Sequence, residues 1–323
     1  MENKIKRLYE EYGQSLWYDE GVSAAIAPRD AYDEQLRELA RQGKSPLEIY
    51  EAMAVDDIRR AADILRPVYE ESEGTDGFVS LEVSPFKARD TEATIEEAMR
   101  LFKWVERPNL FIKIPATEEG LPAIETCIAS GINVNITLMF SRTVYGRVID
   151  AYLNGLMRRA QSGSDVSRVA SVASFFVSRV DTLVDDLLDK KIAVTDDRVL
   201  RERMAWLKGK AGIANAKLAY QLFKDKFATG LYQELEQKGA KLQRPLWAST
   251  STKNPAYSDV MYVDNLIGPH TINTAPPETI DAFRDHGTLA NTLEQGIEEA
   301  EEVMRALGEV GIDMVSVTDQ LLD

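Results

Sequence analysis

Two charged residues stand inside runs of apolar residues, where charges are uncommon. Lys113 lies within Leu110-Phe-Ile-Lys-Ile-Pro115, and Glu82 lies within Val79-Ser-Leu-Glu-Val83. A lysine in apolar surroundings loses its proton more readily, and the neutral amine can form a Schiff base with a carbonyl group. Lys113 is thus a candidate nucleophile, or a lysine that reaches solvent or pairs with an acid. Glu82 is a candidate general acid or base, or the carboxylate that neutralises Lys113.

Polar residues alternate with apolar ones in the next such run. In a strand, Asn133, Asn135 and Thr137 would share one face, because successive side chains point to opposite sides. The interior of an α/β barrel normally holds Val or Ile at such positions. The pattern therefore predicts that this polar face lines a site.

Further candidates stand at the ends of early and late apolar runs. Asp19 ends the first run, although alone it could equally cap a helix. Ser174, Arg179, Ser249 and Lys253 lie in or after two later runs. Each of these four alone is typical of a loop. Because late barrel strands often hold phosphate, the four together predict a phosphate clamp.

Helices and strands alternate along the chain. Capping signals and apolar spacing predict helices over residues 45–72, 90–105, 120–130, 141–156, 197–229 and 289–307, the last followed by Gly308. Apolar runs predict strands over 78–84, 110–115, 133–140, 169–177, 245–249 and 271–274, with further candidates at 16–19 and 21–26. Eight strands favour a TIM (β/α)8 barrel over an open doubly wound sheet, and no G-x-G-x-x-G motif follows the first strand. We expect one domain over residues 1–323.

The composition limits the classes of partner. The 323 residues carry 38 Lys+Arg against 53 Asp+Glu, a net charge of −15. This balance argues against nucleic acid or an anionic membrane surface, while a small anion needs only a few local cations. One cysteine and two histidines exclude a disulfide framework and argue against a Cys/His metal site. We expect no signal peptide and no membrane span, since no apolar run approaches roughly 20 residues.

Several motifs resemble the transaldolase family. Leu110–Ile124 is similar to its active-site signature, a long and specific pattern in which Pro-Ala-Thr and then Gly follow the lysine closely. Other stretches similar to the longer bacterial transaldolases are Gln14–Asp19, Asp76–Pro85, Gly131–Ser141, Ala248–Pro255 and His270–Thr274. The resemblance covers nearly the whole chain. It implies a metal-free and cofactor-free cytoplasmic enzyme, in a family whose members are often homodimers.

The resemblance also implies roles for the candidate residues. Lys113 would be the Schiff-base lysine, and Glu82 with Thr137 would position a catalytic water. Asp19 would be the acid and base for carbon–carbon cleavage. Asn135 would hold substrate hydroxyls near the reacting carbon.

The remaining candidates would bind and select the sugar phosphate. Ser174, Arg179, Ser249 and Lys253 would contact the substrate, and Lys253 would do so from the loop after Ser249, which varies in length in the family. Phe176 occupies the position at which transaldolases favour Phe and fructose-6-phosphate aldolases favour Tyr.

The implied reaction is the dihydroxyacetone transfer of the pentose phosphate pathway. The three-carbon unit would pass from sedoheptulose 7-phosphate or fructose 6-phosphate to erythrose 4-phosphate or glyceraldehyde 3-phosphate. A class I aldolase of the fructose-6-phosphate aldolase type is the alternative enzyme. A sugar-phosphate-binding barrel without catalysis is the alternative outside the enzymes.

The sequence departs from the family around its second strand. Only Glu20 separates Asp19 from Gly21, whereas a parallel crossover needs a dozen or more residues. Gly21–Pro28 also lacks the Asn of the family's Gly-Val-Thr-Ser-Asn-Pro. The first strand–helix–strand unit is therefore incomplete through a deletion, through a segment left out of the sequence, or through a hairpin. The family-like flanks favour the second explanation, and we also expect a further helix beyond Asp323.

Overall fold

The computed structural model describes residues 3–19 and 32–322. Within these ranges the strands are β1 (Gln14–Tyr18), β2 (Val79–Glu82), β3 (Leu110–Pro115), β4 (Val134–Met139), β5 (Ser171–Phe176), β6 (Gln243–Ala248) and β7 (Thr271–Ala275). They form one curled parallel sheet in the order β1-β7-β6-β5-β4-β3-β2. The chain thus has the α/β architecture of a TIM-type barrel. Among the described residues, β1 and β2 are its edges.

Helices connect and surround the strands. They are α1 (Lys4–Tyr12), α2 (Asp33–Arg41), α3 (Pro46–Glu71), α4 (Thr91–Val105), α5 (Gly120–Ala129), α6 (Arg142–Gln161), α7 (Ser178–Val194), α8 (Arg198–Leu207), α9 (Ala211–Phe227), α10 (Gly230–Glu236), α11 (Met261–Asn265), α12 (Pro277–His286), α13 (Ile297–Glu309) and α14 (Met314–Leu322). A 3₁₀ turn (Pro85–Lys87) follows β2. In the described part of the chain, every helix is too short or too polar to cross a membrane.

The predicted helix starts are confirmed by their caps. At α3, the Ser45 hydroxyl accepts from the Glu48 N–H while the Glu48 carboxylate accepts from the Ser45 N–H. Asp90 caps α4 and Ser141 caps α6 in the same way, through one side-chain acceptor each. These side chains satisfy backbone donors that the first helical turn leaves unpaired.

The two helices predicted toward the C-terminus differ from the structure. The stretch 197–229 is two helices, because Gly209 between α8 and α9 adopts φ +69° and donates its N–H to Asp185. The helix predicted from residue 289 begins only at Ile297. Leu293 before it is buried in a loop, where its N–H donates to the Ile267 carbonyl. Gly308 lies inside α13 rather than after it.

Seven of the eight predicted strands are present, with ends that differ by one or two residues. The eighth, predicted over 21–26, lies outside the described residues. Packing on both faces of the sheet explains why the strands are apolar. Their outward side chains pack on the helices, as Ile112 and Trp247 do, and their inward side chains fill the barrel, as Phe111 and Leu246 do.

The lower barrel is closed by an aromatic layer above an ion pair. The rings of Phe78 and Phe111 stack with centroids 4.2 Å apart, and Trp17 tilts against both. Below them, Asp76 accepts from Trp17 Nε1 at 2.7 Å and pairs with Arg244 at 3.5 Å. These contacts form a floor at the amino ends of the strands, and the carboxyl ends are left for a site.

Candidate active site

Glu82, Lys113 and Asn135 form one row across three neighbouring strands. The register places Glu82 of β2 opposite Lys113 of β3, and Lys113 opposite Asn135 of β4. Lys113 Nζ lies 3.4 Å from Glu82 Oε2, with 29% of the lysine side chain exposed. The ammonium group therefore faces a cavity and a carboxylate rather than the apolar core. Both predicted roles of Glu82 fit this pair.

Asn135 is held in a single orientation by its neighbours. Its Oδ1 accepts from Ser174 Oγ at 2.7 Å, and its Nδ2 donates to Ser80 Oγ at 3.1 Å. The side chain is buried, with 6% of the residue exposed. Asn135 and Ser174 thus form a fixed polar pair beside Lys113. Ser80 was missed from the sequence, although it precedes Glu82 by two positions and shares its face.

The polar face of β4 divides between the two ends of the strand. Thr137 lies one row beyond Asn135, opposite Pro115, and its buried hydroxyl has no hydrogen-bond partner among the described residues. Asn133, in contrast, donates to the Pro108 and Leu110 carbonyls and accepts from the Ala170 N–H. Asn133 is therefore structural, and the prediction that this whole face lines the site is wrong at Asn133.

Asp19 and Phe176 flank this row. Asp19 follows β1, is exposed, and donates its N–H to the Ala275 carbonyl at 3.1 Å, which extends the ladder to β7. Phe176 ends β5 and packs against Phe140 at 5.2 Å between ring centroids. The Arg179 guanidinium lies 5.0 Å above the Phe176 ring. This contact turns the arginine of α7 toward the end of the barrel that carries Lys113.

The predicted phosphate-binding residues gather where α7 begins. Arg179 and Lys253 are exposed, and Lys253 Nζ donates to Ser251 Oγ at 2.7 Å. Ser249 has a φ of +55°, and its hydroxyl lies 2.9 Å from Ser178 Oγ. Two cations and two hydroxyls beside the start of a helix make a favourable environment for an anion. Ser178 was not predicted, because no pattern distinguishes it from other helix-start serines.

One cavity of about 1890 Å³ connects all ten candidates. The residues that share this lining are Asp19, Glu82, Lys113, Asn135, Thr137, Ser174, Phe176, Arg179, Ser249 and Lys253. Six of them lie on strands β2 to β5, and the others lie in the segments that follow strands. The carboxyl ends of parallel strands meet at one edge of the sheet, which explains why such distant residues converge.

The chain matches a known family over most of its length. The family model described as transaldolase/fructose-6-phosphate aldolase matches residues 22–323. A transaldolase of Trichodesmium erythraeum is 50% identical over 300 residues, which cover 92% of this chain and 79% of that protein. A transaldolase of Mycobacterium tuberculosis is 47% identical over 295 residues, covering 91% and 77%.

A third relative matches the chain over a longer stretch. Transaldolase 2 of a Nostoc species is 47% identical over 343 positions, which cover 97% of this chain and 90% of that protein. Because 97% of 323 residues is about 313, about 30 positions of the relative have no counterpart here. These matches support a transaldolase function, and the chain belongs to the transaldolase/fructose-6-phosphate aldolase family.

Proposed function

We propose that the chain transfers a dihydroxyacetone unit between sugar phosphates through a Schiff base on Lys113. The observation that carries the proposal is the Lys113–Glu82 pair, 3.4 Å apart at the mouth of a cavity that also holds Arg179 and Lys253. A lysine beside a carboxylate supplies covalent catalysis and proton transfer. The two exposed cations supply the recognition of a phosphate.

The first step is attack of the Lys113 amine on the ketone of a ketose phosphate. Glu82 accepts the proton that the ammonium group must lose, and the carbinolamine then loses water to give the protonated Schiff base. Glu82 and the unpaired Thr137 hydroxyl hold the water that moves these protons. Asn135, fixed by Ser174, hydrogen-bonds the substrate hydroxyls.

Carbon–carbon cleavage follows in the covalent complex. Asp19 accepts the proton of the hydroxyl next to the breaking bond, an aldose phosphate leaves, and the electron pair passes to the iminium nitrogen. The enamine left on Lys113 attacks the carbonyl carbon of a second aldose phosphate, and Asp19 returns the proton. Hydrolysis of the new Schiff base frees the product and the lysine.

The anion site sets the length of the substrate. Arg179, Lys253 and the Ser249 hydroxyl bind the terminal phosphate, while the carbonyl carbon reaches Lys113. Sedoheptulose 7-phosphate and fructose 6-phosphate are the donors that we propose, and erythrose 4-phosphate and glyceraldehyde 3-phosphate the acceptors. We propose in addition that the enzyme works in the cytoplasm, as a homodimer.

Borohydride trapping tests the proposal. Incubation with fructose 6-phosphate and borohydride should attach a three-carbon adduct to Lys113, which peptide mass spectrometry would locate. Lys113→Ala should remove both the adduct and turnover. Lys226→Ala is a matched control, since 30% of this lysine side chain is exposed and it pairs with Asp150, and neither residue lines the cavity. Turnover retained by Lys113→Ala would refute the assignment.

The need for an aldose phosphate acceptor distinguishes a transaldolase from the alternative functions. Product formation that requires erythrose 4-phosphate indicates a transaldolase, and free dihydroxyacetone without an acceptor indicates an aldolase. Phe176, rather than Tyr, favours the first outcome. Phosphate binding without an adduct or turnover would indicate the non-catalytic barrel.

A further inference from the structure

The loop that carries Lys253 is tied to a neighbouring helix by a tyrosine. Residues 251–258 lie in the loop between β6 and α11, and most of their hydrogen bonds stay within the loop, such as Thr252 Oγ1 to the Ser258 carbonyl. Tyr257, in contrast, contacts α7: its hydroxyl donates to Asp185 Oδ2 at 2.6 Å. The position of Lys253 therefore depends on this contact.

Asp185 is a built acceptor rather than a surface carboxylate. Only 8% of the residue is exposed, and its second oxygen accepts from the Gly209 N–H at 2.9 Å. Gly209 also provides the space for the tyrosine, since a Cβ there would lie 2.8 Å from Tyr257 Cζ. The turn between α8 and α9 thus holds the carboxylate and the ring at once.

The contacts among Asp185, Gly209 and Tyr257 form a joint between α7, the α8–α9 turn and the Lys253 loop. A second carboxyl, one turn earlier in α7, adds to this joint. Asp181 of α7 is 1% exposed and accepts from the Gly212 N–H at 2.8 Å, and the Tyr262 hydroxyl of α11 faces it. Neither Asp181 nor Asp185 forms an ion pair within the described ranges. Two buried carboxyls without a cation are costly. Asp185 accepts from two donors, one on each oxygen, and this indicates a joint that is maintained for position.

The joint connects the two cations of the anion site. Arg179 lies in the first turn of α7, six residues before Asp185, and Lys253 lies four residues before Tyr257. We propose that Tyr257 and Asp185 are positioning residues that hold Lys253 at the phosphate held by Arg179. This inference rests on the proposed function, because it concerns the phosphate-binding part of the same site.

Tyr257→Phe tests the inference, since it removes the hydroxyl and keeps the ring. We expect the KM for erythrose 4-phosphate and the Kd of inorganic phosphate, measured by calorimetry, to rise about tenfold, because a hydrogen bond to a charged group is lost. The kcat and the KM for unphosphorylated erythrose should stay within about twofold, since Lys113 and Asn135 are held by other strands. Tyr152→Phe is the matched control. It removes a buried hydroxyl that donates to the Lys241 carbonyl at 2.7 Å, in a different part of the molecule.

Asp185→Asn is the second variant if Tyr257→Phe folds poorly. Its amide oxygen can still accept from the Gly209 N–H, whereas its NH2 group cannot accept from the Tyr257 hydroxyl, so it should give the same selective loss. An unchanged Kd and KM for the phosphorylated ligands would overturn the inference. An equal rise for erythrose and erythrose 4-phosphate would overturn it too, as the effect would then be merely structural. The Kd of phosphate is measured without turnover, so it tests this inference independently of the Schiff base. Absence of a borohydride adduct at Lys113 in the parent protein would count against the proposed function alone.

Discussion

Asp181 should make the stability of this protein depend on pH near neutrality. Burial raises the pKa of Asp181 to about 7, and the nearby Asp185 carboxyl also raises it, against the lowering effects of the Gly212 and Ala211 N–H groups and the Tyr262 hydroxyl. The carboxyl is almost fully buried, so solvent does not screen these interactions. Asp181→Asn keeps the size of the side chain and an oxygen for the Gly212 N–H, and it removes the titration.

The sign follows from proton binding in the two states. Between the unfolded pKa of 3.8 and the folded pKa of about 7, the folded protein holds a proton on Asp181 that the unfolded chain has lost. The contribution to the free energy of unfolding is therefore fully present below pH 3.8. It falls by about 1.4 kcal/mol for each pH unit as the pH rises and is constant above pH 7. The total is at most about 4 kcal/mol.

Urea unfolding at pH 5, 6, 7 and 8 measures this effect. The parent should lose stability relative to Asp181→Asn as the pH rises to 7, and the difference should then level off. Asp225→Asn, an exposed position on α9, should follow the parent at every pH. If the difference between the parent and Asp181→Asn is the same at all four values, the carboxyl does not titrate in this range and the reasoning fails.

Substitutions at two further residues test the floor and the mouth of the barrel. Asp76→Ala should lower the free energy of unfolding by about 3–5 kcal/mol, because it removes the carboxylate that neutralises the largely buried Arg244 and accepts from the Trp17 N–H. Asp76→Asn, which keeps an oxygen for Trp17, should lose less in the same urea titration. Glu82→Gln should lower kcat about a hundredfold with little change in KM, if Glu82 transfers protons to and from the Lys113 intermediates. An unchanged kcat in a coupled assay would mean that Glu82 only neutralises Lys113.

The parts of the fold that were predicted are those with a local cause. Ser45 and Glu48 satisfy each other's backbone donors within four residues, so the start of α3 is encoded in those residues alone. Apolar runs such as Leu110–Pro115 identify strands covered on both faces. A lysine in such a run is conspicuous because burial of a charge is unfavourable, so Lys113 is a candidate on sequence alone.

The parts that were missed have tertiary causes. Strand periodicity assigns Asn133 and Asn135 to one face, but it does not tell which end of the strand holds the floor and which holds the site. The break between α8 and α9 depends on Gly209 finding Asp185, 24 residues away. The hydrogen bond from Tyr257 to Asp185 joins residues 72 positions apart. Only packing reveals such contacts.

The two halves of the proposed chemistry depend on different parts of the barrel. Lys113, Glu82 and Asn135 are fixed by the continuous register of β2, β3 and β4. Asp19 follows β1, which pairs with β7 and, within the described residues, with no other strand.

On its other side, β1 is held near the start of β2 by side chains, because Ser15 Oγ and Trp17 Nε1 both donate to Asp76. Ser15, Trp17 and Asp19 alternate along the strand and share one face. The Asp76 contacts at the floor therefore orient the same face of β1 that presents Asp19 at the mouth. A loosened floor should thus impair carbon–carbon cleavage by Asp19 before it impairs Schiff-base formation at Lys113.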